Sequence, residues 1–425
     1  MKERIALYWR PAVGTALVAV LLTFAATSPA LAQQTGHAWA WGNNSYGQLG
    51  DGTDFPSSIP VQVRGYRGSG FLDQVRSVDG GAGHSVAKVR MDFPTALYPG
   101  SISQVFAWGL NSDGQLGDES TSKSFFPTYA PHDWRWSSSD YPLTAPDVDG
   151  VSAGSYHTLY AHFRGEPSSW GRNTSGELGM WDISPYREHP RAAYLPNGGV
   201  TAISGGGRHS LARRLDGTVF AWGENGWGQL GTDSTTDSAR PLQVGVRLGG
   251  GRIVIALKSV TAIAAGGDFS LALLTDGTVR AWGFNGDGEL GDGTTTFSDT
   301  PVQVSGLTDV IAIAAGDRHS LAVKRDGTVW SWGYNGFGQL GDGTTTSSAT
   351  PVQVTGLSGV IALAGGGYHS LALLADGTVR AWGYNAFGQL GDGTTTNSAT
   401  PVPVVGLDEV FAIGAGTLHS LAVRP

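Results

Sequence analysis

The sequence contains no cysteine, which excludes disulfide bonds, thiolate metal ligands and cysteine nucleophiles. Charged residues are also few, at 15 % of the 425 residues, and the formal net charge is −8. A negative balance argues against non-specific nucleic-acid binding, because that binding depends on neutralising phosphates. Helical periodicity is missing along the chain, so stability must come from the packing of strands.

Long apolar runs are missing except near the amino end. Lys2, Arg4 and Arg10 precede an apolar stretch over 11–26, and Ser28 to Ala32 resembles a small-residue cleavage site. This order predicts a secretory signal peptide over 1–32, and removing it makes the net charge more negative. A membrane anchor is the alternative, but about 16 residues are short for a spanning helix, which needs about 20. We therefore expect an extracytoplasmic protein, secreted or periplasmic, with no membrane insertion after processing.

Glycine is abundant, at 65 residues, and it recurs at fixed places. A Trp-Gly segment occurs seven times, and its clearest copies read WGYNGFGQLGDGTTT (332–346) and WGYNAFGQLGDGTTT (382–396). Its tryptophans are Trp41, Trp108, Trp170, Trp222, Trp282, Trp332 and Trp382. A second element, G-x-x-H-S/T, carries His84, His157, His209, His319, His369 and His419, with Phe269 in the remaining copy. The chain is therefore a repeat protein.

One repeat, 358–405, predicts four short strands. Val360 to Ala364 and His369 to Ala375 are the first two, and Asp376-Gly377 is suited to a two-residue type I′ turn. Thr378 to Trp382 returns as the third strand, and 401–404 is the fourth, whose prolines fit an outer edge. Four strands per repeat predict an all-β fold, a propeller with four-stranded blades.

The two chain ends predict how the ring closes. The chain from 33 onward begins with a third strand, His37 to Trp41, and ends with a second strand, His419 to Val423. Neither fragment is a complete blade, so we expect them to pair within one blade. Closure in this way leaves no open edge between first and last blades and predicts one seven-bladed domain over 33–425.

The paired elements G-G-x-x-H-S-L-A-L and W-G-x-N-x-x-G-Q-L-G resemble the repeat of the regulator-of-chromosome-condensation family, over essentially all of 37–425. The resemblance implies a seven-bladed propeller. It also implies two known uses, guanine-nucleotide exchange on small GTPases and, in an exported bacterial member, inhibition of β-lactamases through a loop face. Export makes an exchange role implausible because the GTPase would lie in another compartment.

The repeated motifs have structural interpretations. One histidine per blade places the imidazoles far apart, so we expect each to bond locally to turn backbone groups and not to form a metal or catalytic site. The seven tryptophans are expected in the core. The G-D-G-T-T-T runs lack the lysine of a phosphate loop and the glutamate of a calcium loop, so they are turns. The near-identical blades over 261–408 repeat small and apolar residues without odd polar substitutions, and we expect no catalytic site, metal or cofactor.

Two groups of residues are candidates for binding a protein. The first is an aromatic series in the loops between third and fourth strands, on one face of the ring: Tyr46, Trp227, Phe337 and Phe387, with Phe284, Tyr334 and Tyr384 nearby. Exposed aromatic side chains are typical of binding hot spots. Packing on the loop of the next blade is an equal alternative.

The second group lies in four insertions, near 64–74, 89–104, 131–148 and 244–259, which we expect on the opposite face. Their candidate binding residues are Tyr66, Arg67, Trp134, Trp136 and Tyr141. Insertions in a repeat protein tend to cluster on a functional face, although loop drift without function is the alternative.

These features predict a secreted, non-enzymatic, monomeric propeller that binds a protein partner through one loop face. An inhibitor of a secreted enzyme is the alternative, and an exchange factor or a propeller hydrolase or lyase fits less well. We expect no nucleic-acid partner.

Overall fold

A computed structural model describes residues 34–95, 98–130, 150–161, 167–195, 198–248 and 252–425. Seven antiparallel sheets of four strands are present, and we number them blades 1 to 7 in the order of their tryptophans. The first strands of successive blades contact one another around the whole circle. The seven-bladed propeller expected from the repeats is therefore confirmed.

The strands of each blade are given from the axis outward. Blade 1 contains β29 (Ala412–Ala415), β30 (His419–Arg424), β1 (His37–Gly42) and β2 (Ser57–Gln62). Blade 2 contains β3 (Val75–Gly80), β4 (His84–Thr95), β5 (Tyr98–Gly109) and β6 (Ser124–Tyr129). Blade 3 contains β7 (Gly150–Ala153), β8 (His157–Ala161), β9 (Pro167–Arg172) and β10 (Tyr186–Ala192). Blades 4 and 5 contain β11 (Val200–Gly205), β12 (His209–Arg214), β13 (Val219–Gly223) and β14 (Ser238–Gln243); β17 (Val260–Ala265), β18 (Phe269–Leu274), β19 (Val279–Gly283) and β20 (Ser298–Gln303). Blades 6 and 7 contain β21 (Val310–Ala315), β22 (His319–Lys324), β23 (Val329–Gly333) and β24 (Ser348–Gln353); β25 (Val360–Gly365), β26 (His369–Leu374), β27 (Val379–Gly383) and β28 (Ser398–Pro403).

The two chain ends complete blade 1, as the sequence predicts. Strand β1 pairs with β30, with Ala38 opposite Val423 and Trp41 opposite Ser420. Strand β29 lies on the inner side of β30, and β2 lies on the outer side of β1. One blade therefore holds both ends of the described chain, and no edge remains between blades 1 and 7.

A main-chain carbonyl joins each blade to the next. In the loop after each third strand, the carbonyl of the Gln or Glu of the G-Q/E-L-G motif accepts a hydrogen bond from the buried tryptophan Nε1 of the following blade. These bonds measure 2.7–3.0 Å and include Trp41 to Gln389 across the closure. The fit needs glycine beside the indole, because a Cβ on Gly391, at φ +67, would lie 2.7 Å from Trp41 Nε1. The tryptophans are core residues, as expected, and all are fully buried.

The repeated histidines bond between blades, so our expectation of local bonds to turn backbone is wrong. Each imidazole Nε2 lies 2.8–3.1 Å from a hydroxyl of the next blade. The pairs are His84–Thr158, His157–Ser210, His209–Ser270, His319–Ser370, His369–Ser420 and His419–Ser85. Each hydroxyl donates to the same loop carbonyl that binds the tryptophan. It must therefore accept its second bond from the imidazole.

The Asp-Gly turns also differ from the expected type I′ geometry. Gly377 has φ +80, whereas Asp376 is not in the left-handed region, which type I′ would require of both residues. The Gly377 N–H donates to the carbonyl of Leu374, and the Leu374 N–H donates to that of Thr378. The loop therefore has three residues, a type I turn followed by a left-handed glycine. Asp376 Oδ1 accepts bonds from the Thr378 N–H and hydroxyl, which stabilise this form.

Three of the four inserted segments contain described backbone. Segment 64–74 contains a 3-10 turn at Tyr66–Gly68, and segment 89–104 lengthens β4 and β5 to 12 residues each. Segment 244–259 forms the hairpin of β15 (Gly245–Leu248) and β16 (Arg252–Ala256). The links between blades and the Asp-Gly turns share one end, since the Val260 N–H donates to Gly217. Segment 131–148 lies outside the described residues. Within the described ranges, no helix is long and apolar enough to cross a bilayer.

We expect Ser370→Ala to destabilise the protein more than Ser320→Ala, by about 1–2 kcal/mol in the free energy of unfolding. Both hydroxyls donate to a loop carbonyl, at 3.0 and 2.9 Å. Only Ser370 also accepts a bond from a histidine, because Phe269 stands where Ser320 would meet one. Ser370→Ala thus leaves the His319 imidazole buried without that bond. Urea unfolding of both variants measures the difference, and equal losses would contradict the role of the imidazole.

The free energy of unfolding should fall as the pH falls from about 6.5 toward 3. Burial lowers the pKa of the six interblade histidines to about 3, whereas the unfolded chain protonates them near pH 6.5. Burial also raises the pKa of Asp79 and Asp317 to about 6 and of Glu289 to about 7. These carboxyls, together with Glu177, Glu224 and Asp268, whose pKa burial also raises, act in the opposite direction and favour the folded state as the pH falls. Their pKa shifts are smaller than those of the imidazoles, so the imidazoles decide the sign. His369→Phe, which copies Phe269, should unfold with a weaker pH dependence in urea titrations at pH 7.5 and 5, and an unchanged slope would oppose this explanation.

Candidate protein-binding face

Two sets of loops meet at one end of every blade. An inner loop joins the first and second strands, and an outer loop joins the third and fourth. The two are adjacent because the second strand begins opposite the end of the third, as with His369 and Gly383. In blade 7 the Tyr384 N–H also donates to the Tyr368 carbonyl at 2.9 Å. These loops together form what we call the loop face.

Four positions per blade give the loop face its chemistry. The two inner-loop positions are the two residues before each histidine, or before Phe269 in blade 5. In blades 2 to 7 they hold, in order, Ala82-Gly83, Ser155-Tyr156, Gly207-Arg208, Gly267-Asp268, Asp317-Arg318 and Gly367-Tyr368, and in blade 1 they hold Thr417-Leu418. The two outer-loop positions hold Asn43 and Tyr46, Leu110 and Asp113, Arg172 and Ser175, Glu224 and Trp227, Phe284 and Asp287, Tyr334 and Phe337, and Tyr384 and Phe387 in blades 1 to 7.

The outer loops are held in shape from below. Asn335 is fully buried, and its Oδ1 accepts the Leu340 N–H while its Nδ2 donates to Asp342 and Thr344. The Phe337 N–H donates to the side chain of Gln339 at 3.0 Å. Equivalent asparagines are buried in the other blades, at Asn44, Asn111, Asn173, Asn225, Asn285 and Asn385. The ring at position 337 is therefore carried on a rigid loop.

Aromatic rings on blades 4 to 7 contact one another across the blade boundaries. The centroid of Trp227 lies 5.1 Å from that of Phe284. Phe337 lies 4.7 Å from Tyr384 and 5.6 Å from Tyr368. We call the aromatic belt the set Trp227, Phe284, Phe297, Tyr334, Phe337, Tyr368, Tyr384 and Phe387, in which the remaining ring contacts span 6.1–6.4 Å.

Arg318 connects the two parts of the aromatic belt. Its guanidinium carbon lies 5.4 Å from the ring centroid of Phe284 and 5.4 Å from that of Tyr334. It also forms an ion pair of 2.6 Å with Asp287 and lies 3.7 Å from Glu289. Arginine stacked on rings and fixed by a carboxylate loses little conformational freedom on binding, which favours a hot spot.

The aromatic series from the sequence lies on the loop face as expected. Tyr46 and Trp227 are 43 % and 46 % exposed, while Phe337 and Phe387 are half-buried. Trp227, Phe337 and Phe387 belong to the aromatic belt. Tyr46 lies against Gly83 of blade 2, apart from the belt. The rings thus pack on neighbouring loops and still present surface to solvent. Packing on the next blade and exposure for binding, the two alternatives for this series, are therefore both found in the same residues.

The candidates in the insertions are only partly described. The Tyr66 ring lies 6.3 Å from Phe106 and 5.6 Å from Tyr129 of blade 2, and it is 37 % exposed. The Arg67 guanidinium lies 5.0 Å from the Tyr66 ring. Trp134, Trp136 and Tyr141 lie outside the described residues. On the described residues, the loop face carries the larger continuous aromatic surface.

The loop face also carries polar substitutions that contradict our statement about 261–408. Asp268 and Asp317 lie in that range, on adjacent inner loops near the axis, and both are partly exposed. Burial raises the pKa of the Asp317 carboxyl to about 6, and Asp268 adds to the rise. Burial also raises the pKa of Asp268, which Arg208 and Arg318 partly offset. Among the described residues, no group of three or more metal-ligating side chains is found.

Sequence reasoning missed the inner-loop residues Arg318, Tyr368, Asp268 and Asp317. The signal was available, because each lies one or two residues before a histidine, or Phe269, at a position that differs from blade to blade. The pattern that the blades share does not include these positions, so it gives no indication of them. Their importance follows only from the proximity of inner and outer loops.

Comparison with known proteins agrees with the geometry. The model of the RCC1-like domain matches residues 104–425, and that of the regulator of chromosome condensation (RCC1) repeat matches residues 35–87. The chain belongs to the RCC1-like domain family. It is 29 % identical over 273 residues to the ultraviolet-B receptor UVR8 of Arabidopsis thaliana, covering 64 % of this chain and 54 % of that receptor. It is 32 % identical over 269 residues to the human probable E3 ubiquitin-protein ligase HERC6, covering 61 % of this chain and 22 % of that protein. The chain thus spans about half or less of these relatives.

Solved structures share the fold of this RCC1-like chain. Human WBSCR16 superposes with a TM-score of 0.74 at 23 % identity, covering 92 % of this chain and all of that one. Prp20p of Saccharomyces cerevisiae superposes with a TM-score of 0.73 at 21 % identity, covering 95 % and 94 % of the two chains. Prp20p binds Gsp1p and histones. At these identities the likeness concerns the fold alone.

We expect Arg318→Gln to destabilise the protein at pH 8 by about 1–3 kcal/mol, and the double change with Glu289→Gln to restore most of the loss. The pKa of Glu289 is raised to about 7 by burial, so its carboxylate is charged at pH 8 and needs the arginine. Blades 6 and 7 already have Gln339 and Gln389 at that position. Chemical unfolding should show a smaller loss for Arg318→Gln at pH 6, where Glu289 is largely protonated. No rescue by Glu289→Gln would mean that the loss comes from the ring contacts instead.

Proposed function

We propose that this protein is an exported, non-enzymatic binding module that captures a protein partner on its loop face. The aromatic belt carries the proposal, since it joins rings from four blades and is bridged by Arg318. Aromatic side chains and arginine dominate the energetics of protein interfaces. The RCC1-like relative Prp20p binds proteins, which supports the same class of partner for this chain.

The rigidity of the loop face favours binding. Each outer loop is fixed by a buried asparagine, and the inner and outer loops bond to each other. A surface ordered before it meets its partner loses less conformational entropy on association. The proposal needs no movement of the propeller.

The non-enzymatic part of the proposal rests on where the repeated imidazoles lie. The six histidines of the repeats are fully buried and bond to hydroxyls between blades. They have the lowered pKa of buried neutral groups and do not reach the loop face as acids or bases. The absence of cysteine removes the thiol nucleophile as well.

Export and a monomeric state are part of the same proposal. The basic, apolar and small-residue order of 1–32 supports passage to a secreted or periplasmic location. Closure of the ring inside one chain means that no second copy is needed to cover a sheet edge. Its net charge of −8 speaks against a nucleic-acid partner.

Affinity capture from the producing organism's culture medium, with the purified chain as bait, tests this proposal. We expect Trp227→Ala combined with Phe337→Ala to weaken capture at least 10-fold, because each ring fills part of a hot spot worth about 2 kcal/mol or more. Bound proteins are identified by mass spectrometry and their dissociation constants measured on the purified pair. Unfolding curves of the variants establish that the propeller stays intact.

Tyr66→Ala combined with Phe71→Ala is the matched control. These two rings are 37 % and 46 % exposed, and they belong to the inserted segment 64–74 outside the loop face. The control should bind the partner as the unchanged chain does. If the control loses the partner and the loop-face variant keeps it, the binding face is the one that carries the insertions.

A further inference from the structure

The loop face has more carboxylates than arginines to pair with them. Its three arginines each have a carboxylate partner, with Arg172 at 3.2 Å from Asp113, Arg208 at 3.8 Å from Glu224 and Arg318 at 2.6 Å from Asp287. Over the described ranges, the remaining surface carboxylates at the four loop-face positions, Asp268 and Asp317, have no cation within 4.0 Å. The loop face therefore keeps two acids that form no salt bridge, although Arg208 and Arg318 lie close enough to lower the pKa of Asp268.

These two acids, Asp268 and Asp317, lie on adjacent inner loops at the mouth of the axis. The Gly267 N–H donates to the main-chain carbonyl of Asp317, which joins their two inner loops. Asp317 Oδ2 has one long contact, 3.4 Å from the Thr417 hydroxyl. Each carboxylate is partly removed from water, and each pKa is raised in consequence. Such a pair favours the approach of a positive charge.

The aromatic belt borders this acidic mouth. The Asp317 N–H donates to Gly366, which begins the inner loop that carries Tyr368. The Tyr368 ring lies 6.1 Å from Tyr334 and 5.6 Å from Phe337. Blades 7 and 1 have no charged residue at the four positions, so an uncharged sector of the loop face, with the rings of blade 7 in it, begins where the acids end.

We propose that the protein partner inserts a lysine or arginine side chain at Asp268 and Asp317, while apolar side chains of the same segment pack on the aromatic belt. This inference rests on the proposed function and names the chemistry of its partner. A basic side chain fits both parts, because its apolar stem can lie along the rings while its charged end donates to the two carboxylates. The recognised surface is thus a basic residue with apolar neighbours.

Selection of a random dodecapeptide phage library on the immobilised full chain tests the inference. We expect the selected peptides to share a lysine or arginine flanked by apolar residues. A selected peptide, synthesised and titrated, should bind the Asp268→Asn and Asp317→Asn double variant about 10- to 100-fold more weakly, as for lost charge-assisted hydrogen bonds. Raising the salt concentration should weaken binding to the unchanged chain more than binding to the variant.

Asp73→Asn combined with Asp309→Asn is the matched control, since it removes two exposed carboxylates from the links between blades, outside the loop face. It should bind the peptide as the unchanged chain does. Peptides that lack a basic residue yet depend on Trp227 and Phe337 would overturn this inference and leave the proposed function standing. Peptides whose binding is unaffected by the Asp268 and Asp317 changes and by the Trp227 and Phe337 changes would overturn both this inference and the proposed function. A library that gives no binding peptide would overturn this inference.

Discussion

The propeller depends on one repeated acceptor, the main-chain carbonyl of the outer-loop Gln or Glu. Each such carbonyl accepts the indole N–H and a hydroxyl from the following blade, at 2.7–3.0 Å and 2.8–3.0 Å. A carbonyl has two lone pairs, so both are used and no buried acceptor is wasted. Because the bond uses main chain, it forms equally with Gln or Glu at this position. Blades 3 and 5 have Glu177 and Glu289 there without loss of the connection.

The bonds that hold the ring together come from residues repeated in every blade, and this explains which features the sequence could predict. Strand number, blade number and ring closure follow from period and pattern, because every blade repeats the residues that build them, such as Trp382 and the glycines around it. The partner of His369 could not be predicted, because it lies in another blade 51 residues away, at Ser420. The turn at Asp376-Gly377 was predicted wrongly because the bonds from Thr378 to the aspartate decide its geometry.

The candidate site was predictable in part, for a related reason. Trp227 and Phe337 stand out in a repeat because an aromatic ring in a glycine-rich loop is unusual. Arg318 and Asp317 do not stand out, since single charged residues are common in loops. Only the strand pairing brings the inner loop beside the outer loop, so that Arg318 reaches Phe284 and Tyr334. Positions that are shared between repeats maintain the ring, whereas positions that differ between repeats, such as those of Arg318 and Asp317, give the surface its chemistry.

Some residues of the loop face are also required by charged groups buried beneath it. Glu289 and Glu177 are buried beneath the face, and each lies near the arginine that precedes a histidine in the next blade: Arg318 for the first, Arg208 for the second. Blades with glutamine at that position have tyrosine, leucine, glycine or aspartate beside it instead. A buried carboxylate needs a nearby cation, whereas an amide does not. The choice of Gln or Glu under one blade therefore constrains the inner loop of the next. Arg318, which bridges the aromatic belt, serves stability and surface chemistry at once, whereas Asp268 and Asp317 form no salt bridge among the described residues that would account for them.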